Sequence, residues 1–430
     1  MTNAQNAETV GKPSLAQATR IWWKIGILSF GGPAAQIALM HKEVVETRQW
    51  LSEQQFLNAL SFCMLLPGPE AMQLATYAGW RLHGVSGGLI AGLLFVVPGA
   101  AIIMMLAAIY SIFGNVPLVE AFFFGIKAAV LVIVVEALLR VGKKALLRQF
   151  HWLIAALAFV GIFFLSIPYP LIILIAGIVG LLMGATEEER QYIDMAHVSA
   201  GSTVRTIVSW LAIWLLPLLA LAVVGAPHIL LEVGKFFSTL ATVTFGGAYA
   251  VLAYMAQDVV VQYGWLDAGE MVDALGLAET TPGPLILVTQ FVGFLAGFKE
   301  GGVLLGLAGA LTALWVTFAP CFLWIFAGAP YIEWISNQPR LKGALQAITA
   351  AVVGVILNLS IWFALHVLFR TVYRETHGLL TLWKPDLASI EWLALALFLV
   401  SAFLAFSWHW GIIKILLFAS LLGGGLHLII

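Results

Sequence analysis

Charge is what this chain has least of. Asp, Glu, Lys and Arg make up 10% of its 430 residues, hydrophobic residues 61%, and mean hydropathy is +0.98. A soluble domain carries about 25% charged residues, so this chain could not cover a water-facing surface. Cysteine is nearly absent: Cys63 and Cys321 both lie in apolar runs, which leaves no disulfide framework and no cysteine metal site. There is no His-Glu-x-x-His, no paired histidine on an apolar helix and no P-loop. An intramembrane metalloenzyme and an ATP-driven pump are therefore disfavoured, and neither a cofactor nor a metal is expected. The net charge of −1 offers no footing for nucleic acid. The N-terminus is polar through Arg20 and shows no signal-peptide pattern.

What is present is a series of long apolar runs, among them 89–112, 152–184, 302–329 and 347–368. They are long enough to cross a hydrocarbon core of roughly 30 Å. They are apolar on every face rather than alternately, which excludes a β-barrel. The fold class is an all-α polytopic membrane protein surrounded by lipid.

The chain also repeats itself. Ser29-Phe30-Gly31-Gly32 returns as Thr244-Phe245-Gly246-Gly247, Trp50-Leu51 as Trp265-Leu266, and Pro67-Gly68-Pro69 as Pro282-Gly283-Pro284. Every pair lies 215 positions apart (244 − 29, 265 − 50, 282 − 67), so the chain is a duplication. A further similarity, residues 125–130 with 347–352, lies at 222, so the second copy gained a few residues in between. The division is a polar tail over 1–14, a first repeat over 15–190, a linker over 191–202 and a second repeat over 203–430. In the first copy, helices are expected over about 16–30, 33–46, 53–66 and 69–83, followed by long spans near 87–113 and 117–145. The segment 370–386 reads as an exposed polar loop. Counting basic residues across the faces gives an ambiguous orientation.

Each copy thus carries two helix-breaking knots, a Phe-Gly-Gly and a Pro-Gly-Pro, in apolar sequence. Broken helices in matched halves point to a transport site near mid-membrane. A helix that restarts at a knot exposes unpaired N–H groups and about half a positive charge. Four such termini would sum to about +2, enough to complement a dianion. Glycine lets a ligand approach the backbone closely. The candidate substrate-binding residues are Ser29, Gly31, Gly32, Gln36, Gly68, Lys127, Thr244, Gly246, Gly247, Thr281 and Gly283. Lys127 is a lone cation about ten residues into an apolar helix; it either binds the anion or pairs with a carboxylate, Glu120 being one choice. Glu43 aligns with Asp258, and these two are the candidates for carrying a coupling proton.

Phe30-Gly31-Gly32-Pro33 with Gln36, Pro67-Gly68-Pro69, and then Gly79 and Gly84 resemble the signature of the chromate ion transporter family. The second copy matches less fully, with Ala248 in place of the proline and Val251 in place of the glutamine. The resemblance spans nearly the whole chain. It implies two inverted homologous repeats in a bacterial inner membrane and efflux of chromate that gives resistance. It also implies a link to the proton motive force. A channel or transporter for another oxyanion such as sulfate, which shares chromate's shape and charge, stays open as the alternative. A homodimer is compatible with the sequence.

Overall fold

The computed structural model describes residues 13–114, 116–183, 200–245, 248–332 and 338–427. The first copy comprises α1 (Leu15–Leu28), α2 (Gly32–His41), α3 (Glu53–Leu65), α4 (Glu70–Phe113), α5 (Pro117–Ala145), α6 (Gln149–Phe163) and α7 (Tyr169–Met183). Then follow α8 (Ala200–Val223), α9 (His228–Val243), α10 (Ala248–Gln257), α11 (Ala268–Thr280), α12 (Val288–Gly328), α13 (Pro339–Leu368), α14 (Trp392–Phe406) and α15 (Ile412–His427). Helix α9 corresponds to α1, so α8 is an added crossing ahead of the second repeat unit. Most of the linker, together with Gly246 and Gly247, lies outside the described residues.

The local geometry repeats with the sequence. Helices α2 and α10 each run into a π-helical turn, Lys42–Thr47 and Asp258–Gln262. Each turn closes with the same bond, Trp50 N–H to Val44 O at 2.8 Å and Trp265 N–H to Val259 O at 3.0 Å. Capping boxes then open α3 at Ser52 with Gln55 and α11 at Asp267 with Glu270. In both copies the side chain satisfies one of the amides left free at a helix start.

Helices α4 and α12 are each two arms folded back at glycine. The break in α4 lies at His83 and Gly84 (φ +64°), and that in α12 at Gly301 and Gly302 (φ +71°). The arms touch backbone to backbone: a Cβ on Gly79 would overlap Gly87 O, and one on Gly297 would overlap Leu305 O. In each copy, therefore, α3 or α11 enters the membrane, turns at the Pro-Gly-Pro and returns through a short arm. A long second arm then crosses.

These long second arms pack antiparallel. Gly88 faces Phe326 and Gly92 faces Phe322, so rising numbers on α4 meet falling numbers on α12. Counterpart helices that run in opposite directions make the repeats inverted. The copies also interlock. Hairpin α6–α7 packs on α13 of the second copy, α14–α15 packs on α5 of the first, and α5 and α13 pack on each other. In lipid no hydrophobic force drives helix to helix, so close van der Waals packing of small residues does this work. Gly125 against Ala419, and Gly180 against Gly343 and Ala344, are such contacts. Large apolar side chains such as Leu304, Val223 and Leu182 point outward, as lipid-facing surface requires.

The expected loop at 370–386 is instead a two-stranded antiparallel hairpin, β1 (Val372–His377) and β2 (Leu380–Pro385). Positive φ at Gly378 turns it. Thr381 N–H donates to Phe164 O at 2.7 Å, which docks the hairpin on the α6–α7 connection. The docking satisfies one of the carbonyls left free at the end of α6.

The interlock predicts a sharp contrast along one helix. Gly125→Ala, whose methyl would overlap Ala419 O, should cost about 1–3 kcal/mol. Gly142→Ala, with its nearest neighbour 3.8 Å away on Val353, should be nearly neutral. Thermal unfolding of the purified variants in detergent measures both.

Candidate functional site

The four knots meet crosswise. Gly68 N–H of the first Pro-Gly-Pro donates to Thr244 O of the second copy at 2.9 Å. Gly283 N–H of the second Pro-Gly-Pro donates to Ser29 O of the first copy at 2.8 Å. These bonds are each other's image at the 215-residue offset. Ser29 and Thr244 each turn the hydroxyl back onto the preceding helical turn, to Ile25 O and Leu240 O. Gln36 adds a clamp that the second copy lacks, its Nε2 donating to Gly283 O at 2.7 Å and Ser29 O at 3.1 Å. The junction lies deep: Gly283 approaches Phe95 O and Gly99 Cα, and Gly99 is halfway along the second arm of α4.

This geometry corrects the expected role of several residues. The Gly68 and Gly283 amides are bonded to protein, so they are not donors to a ligand here. Ser29, Gln36 and Thr244 are buried and direct the polar atoms named above at backbone carbonyls, and buried Thr281 donates to Ala278 O at 3.0 Å. A Cβ on Gly68 would meet Gln73 Nε2 at 2.9 Å and Cys321 Sγ at 3.0 Å. Positive φ (+117° at Gly68, +89° at Gly283) and protein packing account for those two glycines. Gly31 (φ +85°) caps α2 and has Ala35 beside it, whereas a Cβ on Gly32 would meet nothing within 4 Å.

Beside the junction lies a cavity of about 300 Å³. Pro33 and Ala34 at the start of α2, Gly68 and Glu70 at the first Pro-Gly-Pro, and Ala248 and Tyr249 at the start of α10 border it. Two helix N-termini, one from each copy, thus begin on one space. From α5 come Arg140 and Lys144, and from α13 comes Thr349. Arg140 is held by Glu136 one turn earlier on the same helix. The Tyr249 hydroxyl donates to Glu279 Oε1 at 2.7 Å. The cavity wall therefore carries two cations against Glu70, plus the positive ends of two helices. Sequence reasoning missed Arg140 and treated Lys144 only as an orientation marker. Their i, i+4 spacing, which puts both on one face of α5, was the available signal.

Lys127 is elsewhere. It borders a second cavity of about 320 Å³, at the opposite end of α5, with Tyr110, Glu120, Asp267, Glu270, Asp273 and Lys299 among its neighbours. Its partner is Asp273 of α11, with Nζ 3.3 Å from Oδ2, and not Glu120. Of the two readings of Lys127, pairing with a carboxylate is the one seen, with Asp273 in the place suggested for Glu120. Glu43 is the second residue of one π-helical turn and Asp258 the first of the other, but their settings differ. Glu43 is buried between Lys24 (2.7 Å) and Arg48; Asp258 is half-buried. Near Glu43, on the aqueous face, His41 Nε2 lies 2.7 Å from Glu53 Oε2, and this hydrogen bond holds the imidazole above its ordinary pKa.

Interlocked inverted repeats, with re-entrant hairpins meeting between two cavities, are an architecture found in multi-pass membrane transporters. The chromate transporter family matches residues 16–181 and 231–424, and the chain belongs to that family. It is 29% identical over 344 residues to a probable chromate transport protein of Synechococcus elongatus, covering 80% of this chain and 83% of the relative. It is 31% identical over 368 residues to a chromate transport protein of Pseudomonas aeruginosa, covering 83% of each chain. An uncharacterized transporter of Bacillus subtilis is 30% identical over 154 residues, which is 35% of this chain but 85% of that one, so a single repeat occurs as a near-complete chain. No solved structure matches.

Gln36→Leu removes the donor to buried Gly283 O. The loss should cost about 1–3 kcal/mol, seen as a lower unfolding temperature. Gln54→Leu, which loses an exposed bond to Asn58, should leave that temperature nearly unchanged.

Proposed function

We propose that the protein exports chromate from the cytoplasm across the inner membrane, coupled to the proton motive force. The observation that carries this reading is the cavity where the N-termini of α2 and α10 meet Arg140 and Lys144. A tetrahedral dianion suits it chemically. Its oxygens accept from several directions at once, and Arg140, Lys144 and the two helix N-termini supply donors on several sides, with Glu136 and Glu70 offsetting part of the positive charge. Gly32 leaves room for such an approach.

The distribution of basic residues over the fold supports an orientation. His83 Nε2 lies 2.7 Å from Pro13 O, so α1 starts at the same face as the break in α4. The long arm of α4 leads away from that face and α5 returns to it. Lys143, Lys144 and Arg148 therefore share it, and the inverted second copy adds Arg340 and Lys342 at the start of α13. Lys299 and the hairpin residues Arg370, Arg374 and Lys384 fall on the other face. The more basic face is cytoplasmic by the positive-inside rule. The anion cavity then opens inward, where an exporter loads its cargo, and the Lys127 cavity opens outward.

Sulfate shares the shape and charge to which this cavity responds, so it is the natural competitor. In proteoliposomes, chromate flux should saturate, respond to an imposed pH gradient and fall when sulfate is added. Flux that is linear in chromate and indifferent to the gradient would favour a channel instead. Arg140→Gln and Lys144→Gln each remove a charge-assisted contact worth about 1.5–3 kcal/mol. The chromate concentration for half-maximal flux should rise roughly tenfold to hundredfold in each. Impermeant thiol reagents should reach Lys144→Cys from the cytoplasmic side and Lys299→Cys from the outside. Cys63 borders the same cavity as Lys144, so the labelling uses a Cys63→Ala background; Cys321 is buried.

A further inference from the structure

The outer cavity contains a carboxylate that its surroundings leave half-used. Asp273 is 2% exposed. Its Oδ2 accepts from the Tyr110 hydroxyl at 2.8 Å and faces Lys127 Nζ at 3.3 Å. Its Oδ1 is buried with no hydrogen-bond partner among the described residues, although the side chain borders a cavity of about 320 Å³. Burying an ionised carboxylate costs free energy unless it is paired and hydrogen-bonded, and an unpartnered buried oxygen in a native fold calls for an explanation. A proton on the carboxyl supplies one, because the neutral acid avoids the cost of a half-paired buried charge, and the side chain borders a cavity from which the proton can arrive.

We infer that Asp273 is the carboxylate that takes up and releases the coupling proton, loaded through the outer cavity, with Lys127 and Tyr110 as its positioning residues. The inference rests on the proposed chromate–proton coupling and names the group that performs it. The step moves one proton and no electrons. Hydronium gives its proton to Oδ1, water is left, and the carboxylate becomes a carboxylic acid. The cavity mouth suits this traffic: Glu120, Asp267 and Glu270 attract hydronium and repel an oxyanion, while Lys299 is occupied by Glu270 at 2.5 Å. Helices α13 and α15 also pack on α11. Their cations Arg340, Lys342 and Lys414 lie in the first turns of those helices, and His366 of α13 is bonded to Trp362 O.

Protonation has a mechanical consequence. Neutralising Asp273 removes the charge that holds the Lys127 ammonium against α11 and frees Lys127 to turn toward the cavity that it borders. Lys127 belongs to α5, and so does Arg140, 13 positions on (140 − 127), about 20 Å along the helix axis. A shift of α5 that releases Lys127 from protonated Asp273 would move the cations of the anion cavity as well. Glu43 is less suited to the task, because Lys24 and Arg48 already neutralise it.

The test uses the full-length protein in proteoliposomes, with two assays in parallel. One measures chromate accumulation driven by a pH gradient; the other measures chromate–chromate exchange at uniform pH. In Asp273→Asn, gradient-driven accumulation should fall to the level seen without a gradient and lose its pH dependence, while exchange persists. Asp273→Glu should restore part of the gradient response, and Lys127→Met should shift the pH profile. Surviving exchange also shows that the variant is folded. Undiminished gradient-driven accumulation in Asp273→Asn overturns the inference alone. Loss of exchange in Asp273→Asn together with Asp273→Glu makes the residue structural and also overturns it. A wild-type protein that exchanges no chromate overturns the functional reading itself.

Discussion

Backbone polar groups have no water to turn to inside a membrane, so every break in a helix must find its partners within the protein. The whole architecture depends on how this chain meets that constraint. Helix breaks are placed in the apolar interior, and the residue before each Phe-Gly-Gly, Ser29 or Thr244, accepts from the Pro-Gly-Pro of the other copy. The bonds Gly68 N–H to Thr244 O and Gly283 N–H to Ser29 O require the copies to face one another about an approximate two-fold axis. Inversion, interlocking of the outer hairpins and a junction near mid-membrane all accompany that arrangement.

The two-fold is obeyed by the scaffold and broken by the chemistry. Gln36 clamps one junction and Val251 stands in its place at the other. Lys127 corresponds to Thr349, and Asp273 to Asn58 at the 215-residue offset. As a result Thr349 borders the cavity that carries Arg140 and Lys144, whereas Lys127 borders the acidic one. One end of α5 thus borders a cavity with two cations and the other end a cavity rich in carboxylates. The proposed exchange of an anion for a proton calls for unlike vestibules at the two faces, and divergence of two originally equal repeats is a route to them.

Much of the fold was legible beforehand, because lipid makes the rules strict. Glycine and proline in apolar sequence had to mark breaks, and the expected helices over 53–66 and 69–83 agree closely with Glu53–Leu65 and the first arm of α4. The matched π-helical turns carried no compositional mark, since an extra residue in a turn leaves hydrophobic patterning unchanged. The β-hairpin was readable in part: β-prone Val372-Tyr373 and Leu380–Trp383 flank Gly378, but the surrounding charges favoured a loop. The sites were harder. Lys127 was noticeable as a cation out of place, yet Asp273 lies 146 positions away (273 − 127) and reaches it only through the interlock of the copies. Gly68 and Gly283 stood out for the right conformational reason, but composition gave no sign that their amides would be bonded to Thr244 O and Ser29 O of the other copy.

The central claim is that the oxyanion sits where the N-termini of α2 and α10 meet Arg140 and Lys144. Anomalous scattering at the chromium edge, from crystals grown with chromate, tests it most directly. The account predicts a chromium peak in that cavity, its oxygens within about 3 Å of the Arg140 guanidinium. A peak at full occupancy beside Lys127 and Asp273, with the Arg140 cavity empty, would contradict it.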